Sequence, residues 1–141
     1  MEDIKDEIKE FAEKNNIEFI VLFGSRVKGN FTKESDFDIA ILQKGRVKLF
    51  SNLSEYSDYV SEFAKYLKIS SEKIDLVDLN DANILLRQEI AENSELIYGN
   101  ATDYENYKSF AYRDFIDAKP LFDLESDFIY LKINFLKNAL A

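Results

Sequence analysis

Cysteine and histidine are both absent from this 141-residue chain. Without cysteine there are no disulfides, no thiolate metal sites and no cysteine nucleophile. Without histidine there is no histidine-ligated zinc, no Ser-His-Asp triad, and no access to the commonest general base. Any catalytic base must therefore be a carboxylate, a lysine or a tyrosine. Proline occurs once, at Pro120. No apolar run approaches the length of a membrane span. The opening residues Met1 to Glu10 are charged and amphipathic, unlike a signal peptide, so a cytoplasmic protein is expected. Positive charge is also scarce, with 18 basic against 27 acidic residues and a formal charge of -9. A general nucleic-acid binder needs a basic footprint against phosphates, so direct nucleic-acid binding is not expected.

What the chain does have is apolar material. Hydrophobic residues make up 46%, with 12 Phe and 8 Tyr. That is enough for one well-filled core at this length and argues against disorder. A single α/β domain over 1–141 is expected, with its core at about 1–100 and a helical segment at about 101–141. Ile4, Ile8, Phe11 and Ala12 recur at helical spacing and predict a helix ending near Asn15-Asn16. Ile17 to Phe23 is short, branched and aromatic, a buried strand that stops at Gly24-Ser25. Residues 24–35 form a polar loop with room for a short helix. Phe37 to Leu42 predicts a second strand, and Gln43 to Phe50 a connection. Leu53, Tyr56, Val60, Phe63 and Leu67 mark a second helix, Ile74 to Leu79 a third strand, and Ile84 to Ala91 a third helix. Leu96 to Gly99 reads as a short edge strand or turn.

From Thr102 the sequence is helical in character, and Pro120 should break or kink it. Beyond it Leu121, Leu124, Phe128, Leu131 and Phe135 form one apolar stripe, with Phe122, Ile129, Ile133 and Leu136 beside it. The stripe is too wide for an ordinary surface helix. Core packing and a partner surface both remain open.

Three features carry chemistry. Gly24-Ser25 follows a buried strand directly, Asp36-Phe37-Asp38 opens the next strand, and Asp75 lies within a later apolar strand. Alternation puts Asp36 and Asp38 on one face. Two carboxylates that close repel by about 1 kcal/mol in water at ~4 Å, and by about 4 kcal/mol at an effective dielectric near 20. A cation would offset this, and hard oxygen donors select magnesium or manganese. Asp75 could join from a neighbouring strand, giving a three-carboxylate site of the kind that clamps the attacking and leaving oxygens of a phosphoryl displacement. Its apolar neighbours Ile74, Leu76 and Val77 mean that its charge should have a partner. Asp78 falls on the opposite face of that strand and reads as surface. Gly24 allows a phosphate to approach the backbone closely, and the Ser25 hydroxyl adds a donor. Arg26 and Lys28 supply positive charge against a triphosphate. Gly24 to Gly29 has the glycine spacing of a P-loop, but Asn30-Phe31 follows in place of Lys and Ser/Thr, which rejects that motif.

Leu22-Phe23-Gly24-Ser25-Arg26-Val27-Lys28-Gly29 followed by Ser35-Asp36-Phe37-Asp38-Ile39-Ala40 resembles the nucleotidyltransferase signature of the DNA polymerase beta superfamily. More closely, the chain resembles the minimal nucleotidyltransferase (MNT) antitoxins paired with HEPN ribonuclease toxins. Lys73 to Leu79 is similar to that family's third-aspartate strand, and Leu86 to Ile90 through Leu96 to Tyr98 also looks like it. Lys28 stands where many relatives have arginine. The resemblance implies a small mixed sheet flanked by helices, magnesium as cofactor and ATP as substrate. It also implies transfer of AMP to a tyrosine of a cognate HEPN toxin, with which the chain would form a hetero-oligomer. On that resemblance Gly24 and Ser25 bind the triphosphate, Asp36 and Asp38 bind metal, and Asp75 completes the site and serves as base. Two alternatives stand beside it: a small-molecule nucleotidyltransferase of the aminoglycoside-resistance kind, and a non-catalytic antitoxin that masks its toxin.

Overall fold

The structure, a computed structural model, describes residues 2–29 and 36–140. The elements follow in the order α1 (Glu2–Lys14), β1 (Ile17–Phe23), α2 (Ser25–Lys28), β2 (Phe37–Gln43), α3 (Leu53–Leu67), β3 (Ile74–Asp78), α4 (Ile84–Glu92), β4 (Ser94–Gly99) and α5 (Ala101–Leu140). The four strands form one mixed sheet in the order β3-β2-β1-β4. β1 runs antiparallel to β2 and β4, while β2 and β3 are parallel. A parallel pair needs a crossover, and α3 supplies it.

Both faces of the sheet are covered, which is why β1 and β2 read as nearly continuous apolar runs. On one face Ile20, Ile39, Ile41, Ile74 and Leu76 pack against Ile8 and Phe11 of α1 and Val60 and Phe63 of α3. On the other, Phe19, Val21, Phe23 and Ala40 pack against Ile90 of α4 and Tyr104 of α5. α3 and α4 start where the asparagines just before them cap them. Asn52 Oδ1 accepts the Glu55 N–H at 2.9 Å and Asn83 Oδ1 the Leu86 N–H at 2.9 Å.

Two expectations are corrected. Asp78 is not a surface residue; it is only 5% exposed. It does face away from Asp75, but α3 and the segment after β2 cover that face as well. Its Oδ2 accepts the Leu49 N–H at 2.7 Å and its Oδ1 the Asn80 N–H at 3.0 Å. These bonds satisfy a buried carboxylate and tie the connection after β2 to the end of β3.

Pro120, moreover, does not end the last helix. α5 runs through it as 40 residues, about 60 Å at ~1.5 Å per residue. The carbonyl that loses its partner is that of Ile116, four residues back. Ile116 is exposed, so water can serve that carbonyl. The buried residues of α5 are Tyr104 and Ala111. Beyond them the apolar stripe is open to solvent, with Leu121, Leu124, Phe128, Leu131 and Phe135 all more than half exposed. Core packing within this chain is therefore not its role. Among the described residues, no helix is long and apolar enough to cross a membrane.

Candidate active site

The sheet gathers the predicted residues at one end. β1 finishes there at Phe23, whose register partner is Asp38 near the start of β2. Asp38 is in turn the register partner of Asp75 on β3. Residues directly opposite on adjacent strands share a face. Alternation places Asp38 with Ala40 and Asp75 with Val77, on the face that carries α4. Asp36 lies one residue before β2 and is exposed.

Gly24 turns the chain out of β1. Its φ of 78° and ψ of -152° lie in a region that side chains do not tolerate. A Cβ there would also overlap Asp38 Oδ2. The glycine thus does two things at once: it makes the turn, and it lets the backbone lie against a carboxylate. α2 begins immediately after, with Val27 and Lys28 both donating to the Gly24 carbonyl at 3.1 Å. The Ser25 N–H opens that turn, ahead of any carbonyl the turn itself could offer it.

The electrostatics at this end are one-sided. Burial raises the Asp38 carboxyl above its ordinary value, and Asp75, Asp36 and Glu89 each raise it further. Every one of these influences opposes ionisation of Asp38, and a nearby positive charge would offset them. Among the described residues no three acidic side chains are drawn together tightly enough to form a ready-made metal cage.

The two basic residues have local partners. The Arg26 guanidinium lies over the Phe37 ring at 4.0 Å. Lys28 Nζ is 3.5 Å from Glu89 Oε1, an exposed pair. Both stand beside the carboxylate end of the sheet. The loop at 30–35, with Ser35 and the Asn30-Phe31 pair, lies outside the described residues.

Sequence reasoning missed two contributors. Glu89 on α4 adds to the negative field at Asp38. Tyr56 on α3 places its hydroxyl 3.3 Å from Asp75 Oδ1, a polar neighbour for Asp75 within the chain. No spacing signal connects Tyr56 to Asp75; it sat in the apolar stripe of α3 and was indistinguishable from core.

Gly24→Ala is expected to be costly on both counts. The backbone conformation alone should cost about 1–3 kcal/mol, and the added methyl must displace the Asp38 carboxylate. A lowered melting temperature is the expected outcome. An unchanged melting temperature would show that Asp38 need not lie against residue 24.

Comparison with known proteins places the chain in a family. The sequence profile described as "Polymerase beta, Nucleotidyltransferase" matches residues 6–103. The protein adenylyltransferase MntA of Aphanizomenon flos-aquae (strain 2012/KM1/D3) is 31% identical over 90 residues, 62% of this chain and 60% of that protein. The match thus spans about three fifths of that curated relative's length. A crystal structure of a toxin–antitoxin with AMP-PNP superposes with a TM-score of 0.72 at 22% identity, covering 89% of this chain and 98% of the other. A structure of the tri-AMPylated Shewanella oneidensis HEPN toxin in complex with MNT antitoxin gives a TM-score of 0.66 at 20% identity, covering 92% and 98%. At such identities the superpositions speak for the fold: a mixed sheet with flanking helices and a helical C-terminus. The profile match covers Gly24, Ser25, Asp36, Asp38 and Asp75 alike, and the chain belongs to the polymerase beta nucleotidyltransferase family.

Proposed function

We infer that the chain is a magnesium-dependent protein adenylyltransferase that acts as an antitoxin, transferring AMP from ATP to a tyrosine of a cognate HEPN ribonuclease toxin. The observation that carries this reading is the Asp38–Asp75 register with Gly24 packed against Asp38. Two carboxylates on neighbouring strands and a bare backbone turn beside them suit a triphosphate and its counter-ion. The adenylyltransferase relative and the toxin–antitoxin structures support the choice of AMP and of a HEPN partner.

The residues fit magnesium, since the donor set is carboxylate and a cation would offset the negative field at Asp38. Asp36 and Asp38 would hold it, with Asp75 completing the set, and once bound it would supply charge neutralisation at the reacting phosphate. Gly24 and Ser25 cradle the triphosphate through backbone approach, the Ser25 N–H and the Ser25 hydroxyl. Arg26 and Lys28 add positive charge beside it. Asp75 takes the proton from the incoming tyrosine hydroxyl. That oxygen attacks the α-phosphorus and pyrophosphate leaves. A tyrosine hydroxyl has an ordinary pKa near 10, so it needs such a base at neutral pH.

The C-terminal half of α5 is the surface offered to the toxin. Leu121, Leu124, Phe128, Leu131 and Phe135 follow the alternating three-and-four spacing of a helix–helix seam. Ile129, Ile133 and Leu136, also exposed, form a second side that a single neighbouring helix would leave uncovered. A helical partner that supplies more than one helix matches this shape.

The test is to incubate the protein with ATP, magnesium and the toxin, remove the protein, then weigh the toxin and assay its RNase. A heavier, inactive toxin is the expected result. An unmodified toxin that regains activity on separation would favour masking. An unmodified toxin alongside a labelled aminoglycoside would favour a small-molecule substrate.

A further inference from the structure

The ring of Tyr56 packs as its place in the stripe of α3 suggests, meeting Phe50 edge-on at 5.1 Å. Its hydroxyl has a different set of neighbours. It donates to Asp75 Oδ1 at 3.3 Å and accepts the Leu76 N–H at 3.4 Å. β3 is an edge strand, so alternate N–H groups on its outer side have no strand partner. Tyr56 covers the Leu76 one, and in doing so anchors its own oxygen to the backbone of the strand that carries Asp75.

Asp75 is exposed, and an exposed carboxylate on a sheet edge would otherwise turn freely among rotamers. The contacts of the Tyr56 hydroxyl, both long, restrict that freedom. One fixes the hydroxyl to β3 at Leu76, and the other fixes Oδ1, leaving Oδ2 to receive a proton. The direction of approach matters too. Tyr56 comes from the α1/α3 face, among the residues around Ile74 and Leu76. Asp38 and Asp75 share the α4 face with Ala40 and Val77. The hydroxyl therefore meets Asp75 from the side away from the triphosphate cradle, which suits a support and not an acceptor.

We propose that Tyr56 is a positioning residue for Asp75: it reaches round the edge of β3 and holds the carboxylate in the orientation that takes the proton from the incoming hydroxyl. The inference rests on the reading of Asp75 as base given above. Residues that orient a functional group from behind typically contribute roughly ten- to hundredfold in activity.

Tyr56→Phe keeps the ring and its packing on Phe50 and deletes only the hydroxyl. Transfer to the toxin should fall roughly ten- to hundredfold in kcat, with the KM for ATP and the calorimetric affinity for magnesium-ATP changed by less than about twofold. Independently of activity, the Leu76 amide should exchange its hydrogen faster in the variant, measured without nucleotide. An unchanged kcat would overturn the proposal. So would a rise in KM for ATP in step with the loss of rate, which is the signature of a site that has lost its shape. AMP found on Tyr56 after incubation of the protein with ATP and magnesium alone would also overturn it, by making Tyr56 an acceptor. If the wild-type protein transfers nothing to the toxin, the base role and this inference fall together. The Leu76 exchange separates that failure from the absence of the Tyr56 contact.

Discussion

Asp38→Asn is expected to lower nucleotide transfer by roughly a thousandfold or more, a loss of about 4 kcal/mol at the transition state, while the protein remains folded. Asp38 is the register partner of both Phe23 and Asp75, and Gly24 lies against it, so it is the hinge of the whole site. Its charge is also opposed by burial and by Asp75, Asp36 and Glu89. The sign of the stability effect follows. A carboxyl whose folded pKa is raised binds its proton more tightly folded than unfolded, so it lowers stability as pH rises through that window. The penalty is fully present above the folded pKa and absent below the ordinary value of 3.8. In the metal-free protein, Asp38→Asn should therefore raise the melting temperature slightly at neutral pH. The gain is small because Asp38 is only partly buried and water screens the repulsion. It should fade as the pH is lowered toward 3.8. Melting curves over that range, alongside a magnesium-dependent transfer assay, check both halves. Wild-type transfer from the variant would remove Asp38 from the metal site, and a falling melting temperature at neutral pH would remove the repulsion.

The second large effect lies far from the chemistry. Replacing Leu124, Phe128 and Leu131 together by serine should leave the isolated protein's fold intact and abolish tight binding to the toxin. These side chains are 51%, 63% and 61% exposed, so the monomer gains little from them. Burying one such side chain at an interface contributes about 1.5–3 kcal/mol. Losing three partly exposed ones should cost roughly 3–5 kcal/mol, between two and four decades in Kd at ~1.4 kcal/mol per decade. Calorimetry with the toxin reads the affinity, and circular dichroism confirms that α5 persists, since serine is a weaker helix former. Unchanged affinity would move the interface elsewhere. A wild-type protein that is dimeric alone and becomes monomeric on substitution would show that the stripe seats a second copy of this chain.

Most elements were legible in the sequence because their signals are local. Apolar residues at helical spacing located α1, α3 and α4, and the runs of Ile, Val, Leu and Phe located β1, β2 and β3 within a residue or two of their observed ends. Of the break or kink expected at Pro120, the break does not occur, because its cost depends on what surrounds the orphaned carbonyl, and Ile116 sits on an exposed stretch. Asp78 misled for a related reason. Alternation correctly assigned it to the face opposite Asp75, but only the fold showed that a helix and a connection cover that face and bring the Leu49 N–H to it.

The sequence by itself determined the chemistry available to this protein. With no histidine or cysteine, hard oxygen donors remained for a metal and carboxylate, lysine or tyrosine for proton work, and alternation put Asp36 and Asp38 on one face. Gly24-Ser25 directly after a buried strand marked the turn that leaves β1. Tertiary structure alone decided how these parts meet. Pairing β2 with β3 in parallel set Asp38 opposite Asp75 across 37 residues of chain, and no local signal carries that register. The same pairing left β3 at the sheet edge, where α3 packs beside it and the Tyr56 hydroxyl can reach both Leu76 and Asp75. The exposure of the α5 stripe was likewise decided by length: a helix of 40 residues outruns a sheet of strands of at most seven residues, so among the described residues its second half has little to pack against.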